Sequence, residues 1–183
     1  MISFKANLVS NPEIVRKDEN GNWNPYGVSF VKMDARDKSD TSAVGEVAAN
    51  WAKYCPRGEK TFAADVHRDM FLGTNPDIYE FYALTGQKEN FEQLESENIL
   101  GFIQMRLHNG FLHEIEYLQA HPSTYYTPEE SIYKGIGSAM IKGIIKLFPQ
   151  RDIILMPVDS AIGFYKKMGF EQMPFSRKLK LVV

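Results

Sequence analysis

The chain has one cysteine, Cys55, in 183 residues, so it closes no internal disulfide and must be held by a packed core. It has no basic excess. Its 21 Lys and Arg against 23 Asp and Glu give a formal net charge of −2, which argues against a protein that grips nucleic acid or a membrane surface by charge. No apolar run approaches the ~20 residues needed to cross a bilayer, and the opening residues, MISFKANLVS, lack the apolar stretch of a secretory leader. The four histidines, His67, His108, His113 and His121, show no metal-ligand spacing with Cys55 or with carboxylates. Neither a metal centre nor a Cys–His nucleophile is therefore expected. A cytoplasmic protein with no nucleic-acid or membrane partner, monomeric or homodimeric, is the expectation.

A 44% hydrophobic and 24% charged composition over residues 1–183 suits a single globular domain, and no repeat or linker interrupts it. Residues 2–33 read as a strand pair, ISFKANLV and GVSFVKM, flanking the turn-rich DENGNWNPYG. From Asp40, a candidate cap, Val44, Val47, Ala48 and Trp51 keep helical spacing until Pro56, and a shorter helix is expected from Thr61 to Leu72. A strand over Ile78–Leu84 leads into a polar, acidic stretch, 86–98, read as an exposed insertion. Leu100–Arg106 and Leu112–Ala120 read as antiparallel strands joined through Asn109-Gly110. Ile153–Val158 reads as a central strand and Lys178–Val183 as an edge strand.

Two later stretches carry chemistry. In Ser131-Ile-Tyr-Lys-Gly-Ile-Gly-Ser-Ala-Met140, Gly135 and Gly137 allow a tight turn and a close approach of main-chain donors to a phosphate. A helix follows, with Ile136, Met140, Ile144, Leu147 and Phe148 on one side and Lys142 and Lys146 on the other. Its N-terminus offers free N–H groups and the positive end of the helix dipole. From Asp159 to Phe170 the chain reads DSAIGFYKKMGF, with Asp159 or Ser160 as cap, Ala161, Phe164, Tyr165 and Met168 along one side, and Gly169 as a left-handed C-cap.

Together these two stretches resemble the GNAT superfamily of acyl-CoA-dependent N-acetyltransferases. Gly135 and Gly137 match its phosphate loop, Arg/Gln-x-x-Gly-x-Gly/Ala; Ala161, Phe164, Tyr165, Lys167, Gly169 and Phe170 match its later helix, in the same order and at a similar separation. The resemblance covers about residues 99–172. It implies an α/β fold, a mixed and mostly antiparallel sheet flanked by helices, in which the strands around the phosphate-loop helix splay apart to admit acetyl-CoA. The donor's diphosphate would then meet Tyr133, Lys134, Gly135, Ile136, Gly137 and Ser138, with Leu118, Gln119, Ala120, Ala161, Phe164 and Lys167 along its path. A main-chain N–H near Leu118 or Gln119 would polarise the thioester carbonyl, and Tyr165 would act as general acid to the leaving thiolate.

The implied reaction is direct transfer of an acetyl group to a primary amine, on a small molecule or a protein. An amine of pKa about 10.4 is neutral at pH 7 only at a cost of ~4.6 kcal/mol, so a base is wanted. Strand alternation puts Glu114 and Glu116 on one face, and either is a candidate, Glu114 slightly preferred. Both also read as ordinary solvated or ion-paired carboxylates. Trp51, Tyr54 and Phe71 fall on the acceptor side that the resemblance implies, or simply fill the core. Two departures bear on the donor. Ile132 stands where the family has Arg or Gln, with Lys134 as a substitute cation, and Val158 replaces an Asn. The segment 122–131, with Tyr125 and Tyr126, is either a cover or a passive insertion. The competing reading is a module of the same fold that binds acyl-CoA, or a partner, without turnover.

Overall fold

The computed structural model describes residues 6–55, 61–72, 77–108, 112–124 and 129–182. Pro56, the Asn109-Gly110 turn, Tyr125 and Tyr126 lie outside them. The strands are β1 (Asn7–Ser10), β2 (Glu13–Lys17), β3 (Trp23–Gly27), β4 (Ser29–Met33), β5 (Tyr79–Thr85), β6 (Ile99–Leu107), β7 (Leu112–Ala120), β8 (Tyr133–Lys134), β9 (Asp152–Leu155), β10 (Phe170–Gln172) and β11 (Leu179–Leu181). The helices are α1 (Lys38–Trp51), α2 (Phe62–Phe71), α3 (Ile136–Leu147) and α4 (Ile162–Lys167).

Eight strands form one sheet in the order β1-β4-β5-β6-β7-β9-β11-β10. Its neighbours pair antiparallel except β7 and β9, which run parallel because α3 carries the chain from one to the other. Side-chain alternation then sorts the core into two layers. Tyr82, Leu84, Ile103, Met105 and Ile115 face α3 and α4, where Ile136, Met140, Ile144 and Tyr165 complete the layer. Phe81, Ala83 and Phe102 face α1 and α2, where Val44, Val47, Trp51, Val66 and Met70 meet them. The layer under α3 is tight: a Cβ on Gly143 would stand 2.6 Å from the Phe30 ring.

Four local expectations change. Neither Asp159 nor Ser160 caps α4: residues 159–161 form a 3-10 turn of their own, and Ala161 leads into the helix with no side-chain cap bond. The N-terminal strand pair is four strands, because NPEIVRK and WNPYG form a hairpin of their own between β1 and β4. Asp18 folds its turn by accepting the N–H groups of Asn20 (2.9 Å) and Asn22 (2.8 Å). That hairpin and β8 make a second sheet, ordered β3-β2-β8. The cap of α1 is Asp37, whose carboxylate accepts the N–H of Ser39 at 2.7 Å. Asp40 lies in the first turn instead, fully buried, with Oδ2 accepting the Asp34 N–H at 2.9 Å and Oδ1 without a partner among the described residues. Lastly, β11 is not an edge. It pairs with both β9 and β10, and β10 takes the outside position.

Candidate active site

The register of β6 against β7 slips in the middle of the pair. Gln104 opposes Tyr117 and Met105 opposes Ile115, so Glu116 is an extra residue, a β-bulge. The slip leaves Ile115 on the α3 side and both Glu116 and Tyr117 toward α2. Tyr117 there packs on Phe62, with ring centroids 5.4 Å apart. Glu116 accepts a hydrogen bond from the Gln104 amide at 3.3 Å and lies 3.6 Å from the Arg106 guanidinium. Gln104 is fully buried and also donates to Asp69 of α2 at 3.0 Å. Burial raises the Glu116 pKa; Arg106 opposes the shift, and the nearby Glu114 and Asp69 carboxylates add to it.

Glu114 lies in a different environment. Lys178 donates to it at 2.6 Å and His108 stands 3.1 Å away. Burial works against its charge, but the Lys178 and His108 hydrogen bonds outweigh burial, and its pKa falls below the ordinary value. The two carboxylates that alternation groups together are thus separated chemically. One is ion-paired to Lys178 and hydrogen-bonded to His108, and the other is held partly desolvated beside a buried amide.

Past the bulge, β7 loses a neighbour. It pairs with β9 only from Leu112 to Ile115, and β9 ends at Leu155, so no described strand pairs with residues 116–120 of β7 on that side, and this unpaired edge leaves a gap. The His121 N–H donates to the Leu100 carbonyl at 2.8 Å. Antiparallel pairs alternate, so Gln119 and Tyr117 also turn their N–H groups toward β6, while Leu118 and Ala120 direct theirs into the gap. Of the two main-chain donors expected, Leu118 turns its N–H away from β6 and Gln119 does not; Ala120, not assigned that role from the sequence, turns its N–H the same way as Leu118. The side chain of Gln119 is engaged elsewhere, for its Oε1 accepts the Ala63 N–H at 2.9 Å and ties the start of α2 to β7.

α3 packs on the sheet face that carries Ile115 and Leu118. Gly135 opens it with φ +89°, a left-handed conformation that favours glycine, and no side chain caps it. Ala139 makes the first helical bond, to the Gly135 carbonyl at 2.9 Å, so the N–H groups of Ile136, Gly137 and Ser138 precede the ladder. Ile136 turns its side chain into the core. Tyr133 and Lys134 reach the helix by pairing, as β8, with Arg16 and Val15 of β2.

On α4, Tyr165 is 8% exposed and packs between Phe164 (ring centroids 5.0 Å) and Phe170 (5.8 Å). Burial pushes its phenol up to about 12, and its hydroxyl has no hydrogen-bond partner among the described residues. Ala161 packs on the same core and Lys167 is exposed. Ile132 and Val158 are both exposed. Of the aromatics assigned to the acceptor side, Trp51 is core, packed on Phe102 and on His121, while Tyr54 meets His121 at 5.2 Å. Phe71 is 73% exposed. Gln104, Asp69, Arg106 and Lys178, which set the state of the two glutamates, carry no motif; only the strand register brings them there.

Solved structures share this architecture at low identity. A protein assigned to the GNAT family from Desulfovibrio desulfuricans superposes with a TM-score of 0.53 at 14% identity, over 84% of this chain and 96% of that one. An acetyltransferase of the GNAT family from Staphylococcus aureus Mu50 gives 0.53 and 14%, over 84% and 98%. No curated protein matches the chain. The acetyltransferase (GNAT) family model matches residues 56–170, well over half the sequence and the part that holds the bulge, the gap, α3 and α4, and by that match the protein belongs to the GNAT acetyltransferase family.

Proposed function

We propose that the protein transfers an acetyl group from acetyl-CoA to a primary amine by direct attack, with both substrates bound. The observation that carries this reading is the gap beside β7. It has the Leu118 and Ala120 N–H groups turned into it in the plane of the sheet, Tyr165 in the core layer on the α3 and α4 side, and the partly desolvated Glu116 carboxylate toward α2. The donor therefore enters from one face of the sheet and the acceptor from the other. The residues fit the donor in three ways. The N–H groups of Ile136, Gly137 and Ser138 are open to a diphosphate, Leu118 and Ala120 turn theirs toward the pantetheine arm and carbonyl, and Tyr165 keeps an unspent hydroxyl.

When bound, acetyl-CoA supplies an activated acyl group; the chain manages protons and charge. Glu116, with its raised pKa and its place at the bulge, takes one proton from the incoming ammonium, directly or through water, and releases it to solvent. The Leu118 or Ala120 amide holds the charge that grows on the carbonyl oxygen as the C–N bond forms. The C–S bond then breaks with its electrons on sulfur. Tyr165, at about 12 against an ordinary thiol at about 8.5, would give up its proton outright only at ~5 kcal/mol. It serves instead as a hydrogen-bond donor to the sulfur, and the second amine proton reaches sulfur through it. Glu114, ion-paired to Lys178, positions the strand and is not the base.

The test is to mix the protein with acetyl-CoA and a panel of amines and follow free thiol. Thiol release that depends on one amine class is expected. Nucleotide binding with no release across the panel would leave the non-catalytic module, which the exposed apolar Ile132 and Val158 favour.

A further inference from the structure

The geometry points to a phosphomonoester subsite on the inserted hairpin, where Lys17 and Lys134, gathered around Trp23, receive the 3′-phosphate at the nucleotide end of the acyl donor. It rests on the donor proposed above. The register of the small sheet places these residues. Lys17 pairs with Trp23 and Val15 with Lys134, so alternation puts Val15, Lys17, Trp23 and Lys134 on one face and Ile14, Arg16, Tyr26 and Tyr133 on the other. Ile14 is buried in the core, and Tyr26 and Tyr133 pack against it, so the Lys17 face is the outward one.

On that face Lys134 Nζ stands 4.0 Å and Lys17 Nζ 5.1 Å from the centroid of the Trp23 ring. The ring attracts each cation but cancels neither. Among the described residues neither ammonium has a carboxylate partner. Asp18, next along the chain, gives its oxygens to the N–H groups of Asn20 and Asn22 and to the Asn24 amide. Glu13 shares the face but lies at its far end, opposite Gly27. Two like charges are thus held together with no ion-pair partner among the described residues, in a chain whose formal net charge is −2. A phosphomonoester carries about −1.5 to −2 at pH 7 and would neutralise both. Lys134 directly precedes Gly135, so the pair sits beside the free amides of α3, and a diphosphate bound there has its ribose phosphate close at hand. Two cations are too few for a nucleic-acid track but suffice for one phosphate.

The experiment is calorimetric titration of the full chain with CoA and with 3′-dephospho-CoA. The wild type is expected to bind CoA at least tenfold more tightly. In Lys17→Gln/Lys134→Gln that preference should shrink to within about twofold, Lys17→Gln alone should shrink it while changing dephospho-CoA binding less than threefold, and Lys17→Arg/Lys134→Arg should restore most of it. An unchanged preference in the Gln double variant, or none in the wild type, overturns this inference alone. Failure of the wild type to bind either nucleotide overturns the donor assignment along with it.

Discussion

The Phe164 ring comes within 3.1 Å of the position that a Cβ on Gly137 would take. The missing side chain on α3 is therefore needed by α4, and the ring that fills the space is the neighbour of Tyr165. Gly137→Ala should push Phe164 aside, costing ~1–2 kcal/mol by overpacking. Urea unfolding checks this. Adding Phe164→Leu should recover part of the loss, and a Gly137→Ala chain as stable as wild type would contradict the contact.

Glu116→Gln should lower turnover at least tenfold, since a positioned base typically contributes 10²–10⁴-fold. It should also remove the acidic limb of the kcat/KM–pH profile. That limb should lie above the range of an ordinary carboxylate, because burial raises the Glu116 pKa. Glu114→Gln should leave the limb in place. Its main effect should be on stability, ~1–3 kcal/mol, through the weakened Lys178 and His108 contacts. The reverse pattern would give the role to Glu114.

Tyr165→Phe should cut kcat at least tenfold while nucleotide affinity holds. Stability should change by under ~1 kcal/mol, because the lost hydroxyl has no protein partner to strand. Equal turnover in the two proteins would remove the phenol from the chemistry.

Asp40 predicts a pH dependence away from the site. Its carboxyl is raised from 3.8 to about 7, chiefly by burial, with the Asp34 N–H opposing and Asp37 and Asp34 adding. The folded state binds the proton more tightly, so this group's contribution is complete below about 3.8 and is lost as pH rises toward about 7. Asp40→Asn, which keeps an acceptor for Asp34, should gain relative stability between pH 5 and 8, by at most ~3 kcal/mol. Urea melts at the two pH values measure it; a constant difference would place the ionisation elsewhere.

Much of this molecule is legible in its residues. The periodicity of α3, the Thr61 start of α2, the left-handed Gly169 and the pairing of β6 with β7 follow from local pattern, and the two motifs name the family. The inserted hairpin does not follow, because Pro25 and the Asn-rich run read as loop while the β2–β3 pairing is fixed by register. The difference between Glu114 and Glu116 is likewise hidden. It depends on one bulge and on Lys178, 64 residues away in sequence. Gly137 reads as clearance for a phosphate; the contact with Phe164 is a second reason for it that no spacing reveals.

The extra residue in β7 also bears on inhibition. With Glu116 turned to α2 and the Leu118 and Ala120 amides pointing along the sheet away from β6, the proposed amine and nucleotide would come through separate doors. A compound lodged over Asp69 and Tyr117 would raise the concentration of amine required and leave the nucleotide's apparent affinity nearly untouched. Its blockade would persist however much CoA ester is present.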